Sequence, residues 1–181
     1  GQGSTSIIGV PTQLGSSTNW VTLGSAFYVG MLINSSGKLY TWGKNNLGQL
    51  GHGNTTANSS PIQVGSLTNW STCGGEMGTM AIKTDGTLWT WGDNTKGYVG
   101  NKTTVNTSSP VQLGSDTTWV NFDTTVGRNW PLRTAPTKFQ VSGADVTDGT
   151  LFTWGHNVFG SCGHGNTTVN SSPIQVGTES T

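Results

Sequence analysis

A stretch of 28 residues, Lys38–Gly65, occurs three times without a gap. KLYTWGKNNLGQLGHGNTTANSSPIQVG returns as TLWTWGDNTKGYVGNKTTVNTSSPVQLG at Thr87–Gly114 and as TLFTWGHNVFGSCGHGNTTVNSSPIQVG at Thr150–Gly177. Thr-Trp-Gly, Asn, Gly, Ser-Ser-Pro and Gln-Val/Leu-Gly hold the same places in each copy. Self-similarity of this length marks a repeat architecture, in which each unit buries its apolar face only against a neighbour.

The segment Pro11–Gly15 matches Pro61–Gly65, Pro110–Gly114 and Pro173–Gly177, so the chain opens on the tail of a further repeat. We divide the chain into that tail (1–18), repeat 1 (19–65), repeat 2 (66–114) and repeat 3 (115–181). A Trp follows each tail: Trp20, Trp70 and Trp119. Within a unit, Trp20–Leu23, Phe27–Ile33, Lys38–Trp42 and Pro61–Val64 are strand-like runs separated by Gly, Asn and Ser clusters. Ser35-Ser36-Gly37 and Thr84-Asp85-Gly86 fit hairpin turns, with Gly supplying a positive φ. No stretch has a 3.6-residue apolar period. The fold class is therefore all-β, with four short strands per unit, the size of one β-propeller blade. Three blades and a partial one make an incomplete ring, to be completed by more chain or by other subunits.

Order favours the same fold. The chain resembles the repeat family named for the regulator of chromosome condensation. Gly75, Ala81-Ile82, Asp85-Gly86, Leu88-Trp89, Trp91-Gly92 and Asn94 carry the resemblance, with Gly48-Gln49-Leu50-Gly51-His52-Gly53 in the first copy and Pro61 closing the unit. The resemblance implies a β-propeller, usually of seven blades. Some relatives promote nucleotide exchange on a small GTPase or contact nucleosomes, and others inhibit secreted hydrolases. The chain departs from the pattern at Val29 and Gly78, where the family usually has His, and at Tyr98-Val99 and Ser161-Cys162, where Gln-Leu is expected.

Charge narrows the function. Only 9% of residues are charged and the formal net charge is zero, with eight basic residues dispersed among eight acidic ones. A nucleic-acid partner is not expected from that distribution. No apolar run is long enough to span a bilayer, and two cysteines, Cys73 and Cys162, make neither a disulfide framework nor a zinc spacing. Catalytic, cofactor and metal sites are all absent from the motifs: no nucleophile elbow, phosphate loop or His-Glu metal motif occurs. His52 and His164 share a Gly-His-Gly-Asn-Thr-Thr turn without a carboxylate at a fixed offset, and read as turn residues.

Binding residues come from three features. An insertion at about 124–140 in repeat 3 carries Arg128, Trp130, Arg133, Lys138 and Phe139, three of the eight basic residues beside two aromatics. Such a loop suits a surface glycan or protein partner, or a structural cover. Trp20, Trp42, Trp70, Trp91, Trp119 and Trp154 fall at repeat-equivalent places and read as blade-core rings, with Trp42, Trp91 and Trp154 available for stacking between chains. Eight Asn-x-Ser/Thr sequons begin at Asn34, Asn54, Asn58, Asn69, Asn101, Asn106, Asn166 and Asn170, glycan acceptors in a secreted protein. The composition points to a non-enzymatic structural or adhesive module of an extracellular assembly, a virion appendage or secreted filament, associating blade to blade with copies of itself or with further repeats. The alternatives are a propeller binding or regulatory protein and a carbohydrate-binding module.

Overall fold

The computed structural model describes residues 1–5, 9–119, 144–147, 150–155, 157 and 164–176. It contains β1 Trp20–Ala26, β2 Val29–Asn34, β3 Leu39–Gly43, β4 Asn58–Gln63, β5 Trp70–Gly75, β6 Gly78–Lys83, β7 Leu88–Gly92, β8 Thr107–Gln112, β9 Ala144–Thr147, β10 Thr150–Gly155 and β11 Asn170–Val176. These form three antiparallel sheets in meander order, β1-β2-β3-β4, β5-β6-β7-β8 and β9-β10-β11. They are three propeller-type blades. Among the described residues no helix is long and apolar enough to cross a membrane.

Turn chemistry sets each hairpin. Gly37 and Gly86 take φ of 70° and 79°. Beside them Asn34 Oδ1 accepts hydrogen bonds from the Ser36 and Lys38 amides, and Asp85 Oδ1 accepts from the Thr87 amide and hydroxyl. Two boundaries differ from the sequence expectation. Phe27 lies in the β1–β2 turn, because Ala26 already pairs with Val29 across it. The fourth strand starts at Asn58, three residues before Pro61. Pro61, Pro110 and Pro173 all sit in the outermost strand of a blade, where a missing N–H breaks no ladder.

The core lies between blades. On one face of blade 1, Met31, Ile33, Leu39, Leu50 and Val64 pack with Trp70, Cys73, Ala81 and Trp91 of blade 2. Met80, Ile82, Leu88 and Leu113 then pack with Trp119 and Trp154. Trp91 and Trp154 are fully buried inside this chain. They are not available for stacking between chains, which corrects that expectation: the preceding blade of the same chain already covers them. Trp42 is half-buried.

The covering element is the loop after each third strand. Trp91 Nε1 donates to the Gln49 carbonyl at 2.8 Å, and Thr79 Oγ1 donates to the same oxygen at 2.8 Å. A methyl group on Gly51 would lie 2.8 Å from Trp91 Nε1, one on Gly100 2.5 Å from Trp154 Nε1, and one on Gly1 2.8 Å from Trp42 Nε1. So Gly1 plays for blade 1 the part Gly51 plays for blade 2. The loops also reach the next outer strand, with Gly3 N donating to Ser59 O, Gly53 N to Ser108 O and Lys102 N to Ser171 O.

Candidate functional site

Two grooves follow the same plan, one between blades 1 and 2 and one between the N-terminal segment and blade 1. The larger, about 770 Å³, lies between blades 1 and 2. Val64, Leu67, Trp70, Trp89 and Pro110 line it, with His52 and Asn54 among its polar residues. The smaller, about 450 Å³, is lined by Leu14, Ser17, Trp20, Tyr40 and Pro61, with Gln2 in the place of His52. Two rings meet edge to face in each: Trp70 and Trp89 at 6.2 Å and 82°, Trp20 and Tyr40 at 5.3 Å and 84°. The indole nitrogens of Trp20 and Trp70 are buried and have no hydrogen-bond partner. Burying an unpaired donor is unfavourable, so both grooves retain an unmet donor, beside a mainly apolar wall in the larger and a mixed one in the smaller.

Lys83 adds a cation to the larger junction. Its ammonium lies 3.6 Å from the Trp89 ring centre and 5.2 Å from that of Trp70. Burial pushes its pKa down, against the opposing pull of the Asp85 carboxylate. A desolvated ammonium on two ring faces holds the aromatic pair in place.

His52 fixes the groove's loop. Thr41 Oγ1 donates to Leu50 O at 2.7 Å, and His52 Nε2 lies 2.9 Å from that hydroxyl. Asn58 Nδ2 donates to His52 Nδ1. The proton therefore sits on Nε2. Burial holds His52 below its ordinary pKa, with the Ile62 carbonyl partly offsetting this. Among the described residues, no three His, Cys, Asp or Glu side chains are grouped to hold a metal ion.

The loop walls rest on an amide that sequence reading placed only as a shared Asn. Asn45 Nδ2 donates to Asn54 O and Thr56 O, while its Oδ1 accepts from the Leu50 amide. Asn94 repeats this with Thr103 O, Val105 O and the Val99 amide. Asn157 repeats it with Asn166 O and Thr168 O. All three are fully buried.

Most of the sequon asparagines are tied into local hydrogen bonds. Asn34 is 9% exposed and committed to its turn. Asn101 and Asn106 accept from Asn94, and Asn54 caps its own loop through the Thr56 amide. Asn58 and Asn170 bond to histidines. Asn69 is half-buried, and Asn166 is exposed while accepting from the Thr168 amide. Of the blade-core rings, Trp70, Trp91, Trp119 and Trp154 are at most 5% exposed and Trp20 is half-buried. Arg128, Trp130, Arg133, Lys138 and Phe139 lie outside the described residues.

One cluster escaped sequence reading. Phe27 and Tyr28, 44% and 69% exposed, form the β1–β2 turn with ring centres 4.2 Å apart. Tyr28 has φ 62°, a left-handed conformation costing a non-Gly residue about 1–2 kcal/mol. The available signal was an aromatic pair between two strand-like runs with no Gly to make the turn.

Known proteins share this arrangement. The sequence model described as the regulator of chromosome condensation (RCC1) repeat matches residues 36–82, 85–122 and 148–181, about two thirds of the chain. Among solved structures, human WBSCR16 is 19% identical over 87% of this chain and 38% of its own, with a TM-score of 0.61. Prp20p from Saccharomyces cerevisiae, whose structure was described with its binding to Gsp1p and histones, is 17% identical over 86% of this chain and 38% of its own, at 0.66. Yeast RCC1 (Prp20) bound to Kap60 is 16% identical over 93% of this chain and 50% of its own, at 0.52. At these identities the likeness is one of fold, and the chain spans half or less of each of those proteins. No protein of curated function matches the sequence.

Proposed function

Because the chain belongs to the regulator of chromosome condensation (RCC1) repeat family, we propose that it is a non-catalytic, protein-binding segment of a β-propeller. The observation that carries this is the pair of grooves, each with two crossed rings and an indole donor without a partner, the larger of them mainly apolar. A well-formed apolar concavity with a few convergent polar groups is the default place to look for a binding site. The solved relatives described with Gsp1p, histones and Kap60 favour this binding reading over the structural, self-assembling role that composition suggests. A small GTPase of the Gsp1p kind and core histones are the partner classes to try first.

The test is binding of the full chain to such a GTPase and to core histones, each immobilised, with hydrogen exchange to locate the contact. Saturable binding that protects 51–67 and 107–112 supports the reading. Saturation of neither partner at tens of micromolar, roughly the weak end of specific recognition, removes both classes.

A further inference from the structure

The β1–β2 turn is built unlike its counterpart in the next blade. Between register-equivalent pairs, blade 1 has Ala26, Phe27 and Tyr28, whereas blade 2 has only Glu76 and Met77. Tyr28 occupies the second central position of a two-residue turn with φ 62°, where Gly or Asn is the low-energy choice. The turn is pinned there from both sides. Phe27 N donates to Glu76 O of the next blade at 2.7 Å, and Lys44 N donates to Tyr28 O at 2.9 Å. Strain held this firmly around an exposed side chain is a mark of a working surface.

What that surface offers is specific. The Lys44 ammonium lies 5.7 Å from each ring centre and forms no ion pair with any described residue. Across the junction the charge reverses. The Tyr98 hydroxyl is pushed up by burial and then by Asp93 and Glu76, which places both carboxylates within electrostatic reach of it. The apolar, cationic spot on blade 1 thus borders Glu76 of blade 2, whose carbonyl receives the Phe27 amide. A nucleotide chain could stack on the rings and pair with Lys44, but its run of phosphates would also pass the acidic residue Glu76. A peptide needs only one carboxylate.

We propose that the Phe27–Tyr28 turn with Lys44 is an anchoring point for a protein partner that presents an apolar side chain next to a carboxylate. The apolar group covers the paired rings and the carboxylate meets Lys44. This rests on the protein-binding reading and assigns it a second contact, apart from the junction grooves. Tyr is among the residue types enriched at the hot spots that dominate binding energy once a partner buries them.

The experiment uses the full chain and fluorescent peptides of alternating Asp-Leu, Asp-Ser and Lys-Leu, with oligo(dT) as a polyanion. Anisotropy is read for the parent, Tyr28→Gly and Lys44→Gln, with thermal unfolding of each. Saturable binding of Asp-Leu, weakened roughly tenfold by either substitution while Tyr28→Gly keeps or raises the melting temperature, supports the proposal. Asp-Leu binding untouched by both substitutions overturns it while leaving protein binding elsewhere on the chain intact. Binding of no peptide also overturns it, and the GTPase and histone experiment then decides the wider reading separately. Preference for oligo(dT) or Lys-Leu overturns the chemistry assigned to the partner. Loss of stability in Tyr28→Gly together with loss of binding makes the tyrosine structural and likewise ends the proposal.

Discussion

The indole nitrogen of Trp91 donates to the backbone carbonyl of Gln49, 42 positions earlier in the chain. That bond closes over a fully buried ring and joins the Thr-Trp-Gly strand of blade 2 to the loop of blade 1. It divides the contribution of Trp91 into packing and hydrogen bonding. Trp91→Ala is expected to cost about 3–5 kcal/mol, as large-to-small changes do in a closed core. Trp91→Phe should cost roughly 1–2 kcal/mol, since the Gln49 oxygen keeps its bond from Thr79. Urea unfolding separates the two, and equal losses would mean that the hydrogen bond carries the junction.

Gly51 and Gly65 have similar backbones and different surroundings. Both have positive φ, 76° and 57°, but a methyl group meets Trp91 Nε1 at 2.8 Å on Gly51 and nothing within 4 Å on Gly65. Gly65→Ala should cost only the left-handed penalty of about 1–2 kcal/mol. Gly51→Ala should exceed it by about 1–3 kcal/mol, the usual range for overpacking. Paired melting curves give the difference directly, and a Gly51→Ala loss no larger than that of Gly65→Ala would contradict the close approach.

Asn94 ties the two ends of its loop together from the inside. Its side chain bonds the Thr103 and Val105 carbonyls and the Val99 amide from a fully buried position. Asn94→Ala orphans those groups, and a loss on the order of 3 kcal/mol is expected. Asn94→Asp should be at least as damaging, because an ionised carboxylate cannot donate to two carbonyls. Hydrogen exchange across 99–106 should rise in both variants, and unchanged protection there would remove the clamp.

Stability should fall on mild acidification, through His52. Burial lowers its pKa in the folded state, so between that value and the ordinary value of about 6.5 the unfolded chain binds more protons. The contribution is complete above the unfolded pKa and is lost as pH falls through the window below it. His52→Gln, which copies Gln2 at the equivalent place, should flatten that part of the profile. Urea midpoints at several pH values between neutrality and mild acid compare the two proteins.

Cys73 should resist alkylation while the chain is folded. Burial among apolar neighbours pushes its thiol up to about 12, and only the thiolate reacts. In a Cys162→Ser background, labelling by iodoacetamide should follow unfolding, and fast labelling of native protein would place Cys73 outside the core.

Much of this fold was legible because the repeat, the strand-like runs and the turn glycines all report local geometry. Leu39 and Thr41, which share one face of β3, are both fully buried. The direction in which Trp91 packs was not legible, since alternation tells which face a ring is on and not which neighbour covers it. Phe27 was drawn into the strand because Tyr28 stands where a turn normally declares itself with Gly. The Asn45, Asn94 and Asn157 clamps looked like ordinary turn asparagines, for the carbonyls they satisfy lie nine and eleven residues ahead.

The N-terminal segment and the loops of blades 1 and 2 each overlap the outer strand of the blade that follows, from Gly3 to Ser59, Gly53 to Ser108 and Lys102 to Ser171. The overlap always runs forward, like shingles laid from one eave. Synthesis proceeds in the same direction, so every receiving surface leaves the ribosome before the strand it will hold. A blade emerging from the tunnel meets a finished edge, and nothing already placed has to lift to admit it.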